Sequence, residues 1–404
     1  MGIEALLSTQ IIDTTAVGRA VMTAADAAAA RTAIGAAATS HTHAASDITS
    51  GIIGTARLAT GTADSTTYLR GDQTWATVAA AGVGGSTGAV DNAVLRADGT
   101  GGSTVQSSSI VIADNYTASP NNTVNHASIQ ATGGTTNVSV SIVPKGSGAL
   151  SLHVPDGTAT GGNARGANAI DFQTVRNAAT QVASGDQSFL GAGWRSSATA
   201  TQAAAVGGNQ SHATGIGAFV AGSEVATASG QNSAVVAGRN TNATSQYAFA
   251  TGFGADARLY STQSHSSNPL GLATGLHQAF RVTLGRKTTG ATATVLFLDR
   301  DQLFRLTLQA NTIHFADVLV VGIKSDGTAV AAYKRKVVIK RVVNTTSIVN
   351  VETIGTDYED NASTDIAITA DDTNDAWQIA VTGISGETWR WFAIVSGIEL
   401  QYGT

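Results

Sequence analysis

The sequence predicts a mainly β, fibrous homotrimer with a short N-terminal helical or extended segment, a central β-roll and a C-terminal β-sandwich. Three observations predict this fold class: a low content of charge, a repeat with a period near 15 residues, and alternating apolar residues near the C-terminus. Charged residues make up 13% of the 404 residues, about half of the roughly 25% usual in globular proteins. The segment 276–404 carries 12 of the 23 Lys and Arg and 14 of the 28 Asp and Glu. The chain therefore divides into a long stalk of small residues and a globular module.

The composition also excludes several classes of protein. The net charge of −5 argues against a nucleic-acid partner, which needs a basic surface. With no Cys, the chain has no disulfide, thiolate zinc site or cysteine nucleophile. No apolar run approaches the roughly 18 residues that span a bilayer, so we expect no membrane insertion. Neither a phosphate loop nor a nucleophile elbow occurs in the sequence.

The N-terminal region is rich in alanine between Thr23 and Ala38. Thr23 stands three residues before Asp26, which is the spacing of a helix N-cap. The segment therefore predicts a helix that begins at Thr23, and a low-complexity spacer is the alternative.

The central region contains five related units in which apolar and small residues precede a closing glycine. The closing glycines lie 15, 14, 16 and 14 residues apart. A period near 15 is too short for a helical hairpin but suits a coil of two short strands and two turns. Since one coil cannot bury its own apolar residues, the coils are expected to stack into a β-solenoid. The units are Phe189–Gly193, Ala204–Gly208, Ala218–Gly222, Ala234–Gly238 and Ala248–Gly252.

The core of this roll is expected to be thin, because its inward residues are predicted to be mostly Ala and Val, with one Phe in some coils. Such a core is marginal against the conformational entropy of the chain. Association of identical chains would compensate, and Ala and Gly permit their close approach. The spacing and the small-Val/Phe-small-x-Gly units of 184–257 resemble the head repeats of YadA-type trimeric adhesins. That resemblance implies a homotrimer.

A second resemblance covers about 90 residues near the N-terminus. These segments resemble a stretch that recurs in bacteriophage tail fibres: Ala27–Gly35, Ser40–Ile48, Ala56–Leu58 and Thr67–Trp75, with an echo of the last unit at Asp91–Thr100. The resemblance implies a trimeric tail fibre of the virion that is assembled in the host cytoplasm and carries no enzymatic activity. Its N-terminus would attach to a tail or baseplate protein. Its C-terminus would contact a host surface glycan or an outer-membrane receptor.

Three other classes of protein remain as alternatives. These are a fragment of a bacterial trimeric adhesin, a head-decorating fibre and a polysaccharide-degrading tailspike. The tailspike needs paired carboxylates, whereas Glu224 and Asp186 in the roll have no predicted partner. We therefore predict no catalytic residue.

The C-terminal module is expected to consist of short strands and to form a β-sandwich. Its last part, 381–391, resembles a module found at the C-terminus of many phage structural proteins. Turns are predicted at Asp326-Gly327 and Ser385-Gly386. The predicted strands are Ile313–Val321, Lys336–Val343, Ser347–Ile354, Thr364–Ala370, Trp377–Val381 and Arg390–Val395.

The predicted organisation has six parts. They are an N-terminal anchoring segment at 1–40, a fibre shaft at 41–115, a small β region at 116–183, the roll at 184–257, a linker at 258–275 and a tip domain at 276–404.

Two groups of residues in the tip domain are candidates for receptor contact. In a strand, Lys334, Lys336 and Lys340 share one face, opposite Arg335 and Arg341. They form either a solvated strand face or a contact for anionic glycan. Trp389 and Trp391 also share a face, and either pack in the core or offer a platform on which a sugar stacks.

One metal site is conceivable at His41 and His43. Two histidines of one chain make a poor site, but a three-fold axis would assemble six imidazoles from an extended strand. Six nitrogens suit a divalent transition metal, and the resemblance to phage fibres implies such an arrangement. The alternative is a polar spacer, and no other cofactor is expected.

Overall fold

The computed structural model describes residues 15–37, 40, 42–77, 93–97, 105–114, 127–131, 137–267, 274–275 and 277–402. The chain forms two compact units, Met1–Ser141 and Ile142–Thr404. Strands dominate both, and the described residues contain two short α-helices. The predicted mainly β fold with a β-solenoid is therefore confirmed. None of the helices among the described residues is long and apolar enough to cross a membrane.

The first unit begins with two helices, α1 (Ala16–Met22) and α2 (Ala27–Ala33). The predicted helix start at Thr23 is wrong, because Asp26 caps α2 with a carboxylate that accepts from two backbone N–H groups. Asp26 adopts an extended conformation that brings its side chain to these donors. Thr23 instead ends α1, and its hydroxyl donates to the carbonyl oxygen of Arg19.

The rest of the first unit consists of short 3-10 helices and antiparallel strands. The 3-10 helices are Ala45–Asp47 and Thr55–Arg57. The strands are β1 (Thr67–Leu69), β2 (Trp75–Thr77), β3 (Ala93–Ala97), β4 (Val105–Asp114) and β5 (Ala127–Ala131). Strands β1 and β2 form a hairpin, and β4 lies between β3 and β5 in a second sheet.

The second unit begins with a solenoid of stacked, parallel strands. They are β6 (Leu150–Ser151), β7 (Ile170–Asp171), β8 (Phe189–Leu190), β9 (Ser197–Ala198), β10 (Ala204–Val206), β11 (Asn209–Ala213), β12 (Phe219–Ala221), β13 (Glu224–Ala228), β14 (Ala234–Ala243), β15 (Phe249–Phe253), β16 (Asp256–Ala257) and β17 (Gln263–Ser266). The parallel pairing begins at β6, upstream of the repeat that is visible in the sequence. The coils there are longer, since Leu150 pairs with Ile170 and Ile170 pairs with Phe189.

The register of the later coils is a constant 15 residues. Ala204 pairs with Phe219, which pairs with Ala234, which pairs with Phe249. The closing glycines vary in spacing because the turns, not the strands, take up the difference. An example is the irregularity between Val236 and Gly238.

The interior of the solenoid consists almost entirely of small residues. One inward ladder is formed by Leu190, Ala205, Val220, Val235 and Ala250, and a second by Ala198, Ala213, Ala228, Ala243 and Ala257; all are fully buried. The prediction that some coils bury a Phe is wrong. Because side chains alternate along a strand, burial of Val220 turns Phe219 outward, and burial of Ala250 does the same to Phe249.

The C-terminal part of the second unit contains two antiparallel sheets. Its strands are β18 (His277–Thr288), β19 (Thr294–Val295), β20 (Thr312–Lys324), β21 (Val330–Val342), β22 (Thr345–Thr353), β23 (Tyr358–Glu359), β24 (Asp365–Asp371), β25 (Ala376–Thr382) and β26 (Trp389–Gln401). The larger sheet has the order β18-β26-β20-β21-β22, with β23 also paired to β21. The smaller sheet has the order β19-β25-β24. Both contribute to one hydrophobic cluster.

All six strands predicted in this region are confirmed, with ends that differ by a few residues. Strand β18 was not predicted. It is one of the longest in the chain and pairs along its whole length with β26.

Candidate functional site

The larger C-terminal sheet has one face in the core and one face that is apolar but exposed. The exposed large apolar side chains of its two central strands, β20 and β26, have exposed fractions of 41–57%. A contiguous apolar patch of this kind marks an interaction surface in a soluble protein. We call it the exposed sheet face; its members are Phe315, Leu319, Val321, Ile323, Phe392, Ile398 and Leu400.

A row of charged residues crosses the exposed sheet face. The strand registers place Arg281 next to Ser396, Ser396 next to Asp317, and Lys336 between Asp317 and Glu352. No ion pair links these four charged side chains to one another in the described structure. The row carries both signs of charge and can therefore pair with a complementary surface.

The exposed sheet face continues onto the solenoid through one strand pair. Strand β17, the last of the solenoid, pairs antiparallel with β18, and Gln263 lies opposite Arg281. On the other face of the same strands, Ser264 and Phe280 are both buried. The sheet therefore turns the same side outward across the junction.

The outward side of the solenoid carries a ladder of alternating large and small residues. Phe189, Ala204, Phe219, Ala234 and Phe249 follow one another at successive coils. Phe219 and Phe249 are each 38% exposed. The alternation leaves a gap at each Ala between two rings, and a second surface of the same kind could fill it.

The three lysines predicted as a receptor contact do share one outward side of β21. Lys334 and Lys340 are exposed, and Lys336 is half-buried with its Nζ 5.5 Å from the centre of the Phe315 ring. As predicted, Arg335 faces the core side, where it forms an ion pair with Asp357. The lysines therefore flank the exposed sheet face, and their contact with a receptor stays a prediction.

Trp389 and Trp391 lie in the hydrophobic cluster and not on the surface. Trp389 is 0% and Trp391 is 3% exposed, and their rings stack 5.6 Å apart. Their indole N–H groups donate to Glu387 and Thr288. Burial leaves neither ring face for a sugar, so the sugar platform gives way to the alternative of core packing.

The predicted metal ligands cannot be compared with each other. His41 lies outside the described residues, and His43 lies within them. Among the described residues, no group of three or more His, Cys, Asp and Glu side chains is placed to hold a metal ion. The site on a three-fold axis stays a prediction.

The two acids singled out in the roll lie in separate surroundings. Glu224 forms an ion pair with Arg239 at 3.3 Å. Asp186 accepts a hydrogen bond from the backbone N–H of Ala167. Sequence reasoning missed a third acid, Asp171, which is fully buried between the guanidinium groups of two arginines of the longer coils.

A buried polar cluster joins the solenoid to the C-terminal sheet. Arg258 of the solenoid forms an ion pair with Glu399 of β26. Gln278 donates to Glu399 and to the carbonyl oxygen of Asp256. Burial raises the pKa of the Asp256 carboxyl, and nearby Arg258 opposes that shift. The cluster fixes the junction because its members come from both parts.

His314 lies beside this cluster. Burial, with a smaller contribution from the positive charge of Arg258, lowers its pKa to about 3. Its Nδ1 accepts a hydrogen bond from the indole N–H of Trp377 at 3.3 Å. The imidazole is therefore neutral at physiological pH.

Comparisons with known proteins add little to this picture. The chain matches no family model and no curated protein. Among solved structures it is similar to the tailspike protein of Acinetobacter phage vB_ApiP_P1, with 8% identity, a TM-score of 0.20, and coverage of 59% of this chain and 55% of that one. It is also similar to the tailspike of Acinetobacter baumannii phage AM24, with 9% identity, a TM-score of 0.18, and coverage of 62% and 52%. The chain thus spans about half the length of each, and the proposals below depend on its own residues.

Proposed function

We propose that this chain is a structural protein of a bacteriophage tail, a homotrimeric fibre that adheres to the surface of the host cell. The observation that carries the proposal is the apolar surface that runs from the phenylalanine ladder of the solenoid to the exposed sheet face. The tail-fibre-like segments between Ala27 and Trp75 supply the assignment to a phage tail.

The partner that best fits this surface is another copy of the same chain. The phenylalanine ladder alternates rings with gaps, so two ladders offset by one coil interlock. The charged row contains cations and anions in equal number, so two rows can pair with opposite signs facing. The resemblance of the repeats to trimeric adhesin heads sets the number of copies at three.

Association also explains how so thin a solenoid is stable. Its interior is nearly all Ala, and small residues bury little apolar area per coil. Covering the outward phenylalanines in a trimer adds buried apolar area without enlarging the coil. The C-terminal module, with its two sheets as a β-sandwich, would extend the same assembly.

Adhesion requires no chemistry at the tip. Three copies present three weak contacts on one rigid body, and a raised effective concentration multiplies their strength. The lysines of β21 lie at the edge of the proposed interface and could still reach an anionic glycan. Residues 1–40 would provide the attachment to the tail or baseplate.

Two measurements test the proposal. Light scattering on the full chain should give about three times its mass of 40.7 kDa. The purified chain should also compete with adsorption of a phage that carries it, and antibody labelling should locate it on the tail. A folded monomer at micromolar concentration would contradict the trimer, and labelling of the head or of a bacterial surface would favour one of the alternatives.

A further inference from the structure

A cleft of about 560 Å³ lies at the edge of the larger C-terminal sheet, where the end of β18 passes the loop 298–302. Three cationic side chains line it, those of Arg286, Lys287 and Arg300. The rings of Phe297 and Phe392 form its apolar walls, and Phe392 is half exposed. The cleft therefore combines positive charge with an accessible aromatic ring.

The positive charge of the cleft is not neutralised by the chain. Other arginines of this module form ion pairs, for example Arg335 with Asp357 and Arg341 with Asp375. None of the three cations of the cleft has such a partner among the described residues. Each of them is available to an anion from outside.

One carboxylate, that of Asp299, also lines the cleft. Its two oxygens accept hydrogen bonds from the backbone N–H groups of Asp301, Leu303 and Phe304, at 2.8–3.2 Å. Asp299 thus shapes the loop that carries Arg300 and forms no ion pair with the cations. The lining keeps an excess of positive charge.

The strand register adds a further cation beside the cleft. Lys287 on β18 lies directly opposite Arg390 on β26, and both side chains are exposed. Like charges in this position destabilise a sheet. A bound anion would turn the repulsion into attraction, which gives the pair a reason to exist.

Arg286 is held in place before any ligand arrives. Its Nη1 donates to the carbonyl oxygen of Val295 at 3.1 Å, and its guanidinium lies 5.4 Å from the centre of the Phe297 ring. Arg305 lies 4.9 Å from the same ring. A guanidinium fixed in this way loses little entropy when it binds an anion.

We propose that this cleft binds an acidic sugar residue, one that carries a carboxylate or a phosphate group. The inference rests on the proposed function, since it names the class of ligand that the tip recognises and a site for it. The cations would hold the charged group, and the ring of Phe392 would contact the C–H groups of the sugar. The amide of Gln302, also in the lining, supplies a donor and an acceptor for hydroxyl groups.

The test measures binding of the full chain to three probes by titration calorimetry. The probes are a tetramer of galacturonate, a phosphate-substituted mannose oligomer and a neutral galactose tetramer. We expect binding of at least one acidic probe and none of the neutral one, and the two acidic arms distinguish carboxylate from phosphate. Lys287→Ala and Arg300→Ala should each weaken binding roughly tenfold, as expected for loss of a charge-assisted contact.

Two controls separate the cleft from the general charge of the protein. Lys145→Ala removes the same charge from an exposed position remote in sequence, and should leave binding unchanged. Lys287→Arg keeps the charge and should retain most of the affinity. Unfolding curves and light scattering on each variant check that the assembly is intact.

The outcomes separate this proposal from the proposed function. If the chain adheres to host cells but no acidic probe binds, or binding survives both alanine variants, the cleft is wrong and the adhesive function stands. If an acidic probe binds in the cleft but the chain never competes with phage adsorption, the adhesive function is wrong and the ligand site stands.

Discussion

Gly322 on β20 lies directly opposite Trp391 on β26, and the six-membered ring of Trp391 occupies the space that a Cβ at Gly322 would fill. This relationship explains how two stacked tryptophans fit between the sheets. The glycine gives up a side chain so that the neighbouring indole can lie flat against the backbone of β20. The exposed Phe392 and the cleft beside it lie one residue further along the same strand.

Gly322→Ala should therefore destabilise the protein. The added methyl group overlaps the Trp391 ring, and overpacking of this kind costs about 1–3 kcal/mol of the free energy of unfolding. Denaturation monitored by tryptophan fluorescence measures the loss. Gly290→Ala is the control, since nothing lies within 4 Å of a Cβ there; equal stability of the two variants would contradict the packing described.

Leu319→Asp should dissociate the assembly. Leu319 is 45% exposed at the centre of the exposed sheet face, and a carboxylate there would be buried without a partner if the face is covered by another copy. Light scattering should report a lower mass at micromolar concentration. Leu303→Asp is the matched control, because Leu303 is 75% exposed and lies on a loop. An unchanged mass for Leu319→Asp would mean that this face is not the interface.

Stability should decrease in acid because of His314. Its pKa is about 3 in the folded chain and near the ordinary 6.5 in the unfolded chain. Between these values the unfolded chain binds a proton that the folded chain does not, so the free energy of unfolding decreases as the pH decreases, by up to about 1.4 kcal/mol per pH unit. Asp256 acts with the opposite sign, since its raised pKa lets the folded chain bind a proton first.

Urea denaturation at pH 7, 5 and 4 measures this dependence. His314→Gln should reduce the slope between pH 6 and 4, whereas replacement of the exposed His265 by Gln should leave it unchanged. An identical slope in wild type and His314→Gln would show that other groups account for the acid sensitivity.

The lysines of β21 should contribute to adhesion through charge. Replacing Lys334, Lys336 and Lys340 by Ala should weaken binding to an anionic cell surface, and the loss should be larger at low salt because screening is weaker there. Cell-binding assays at two salt concentrations measure it, with light scattering to confirm the same mass. A loss of mass instead would place these lysines in the interface.

The histidine prediction has a direct test. If His41 and His43 form a site on a three-fold axis, elemental analysis of metal-replete protein should give close to one transition-metal ion per trimer. His41→Ala should remove it. Protein purified without chelator that holds no metal would return both histidines to the polar spacer.

Residues that share a face were predicted well from the sequence. The period near 15 indicated the solenoid, and the alternation in 334–340 separated Lys334 from Arg335 correctly. Local chemistry was predicted less well. Thr23 and Asp26 are both good capping residues, and only the backbone conformation decided that Asp26 caps the helix.

The sequence by itself determined the strand periodicity, the small-residue core and the division of charge along the chain, because these depend on residue order alone. The tertiary structure decided which side of each strand is covered: it buried Trp391, exposed Phe392 and turned Phe219 outward. It also brought Lys287 and Arg300 to one cleft, and Arg258 to Glu399. The reason is physical: a strand of period two offers two faces, and only packing by distant parts of the chain selects the one that leaves water.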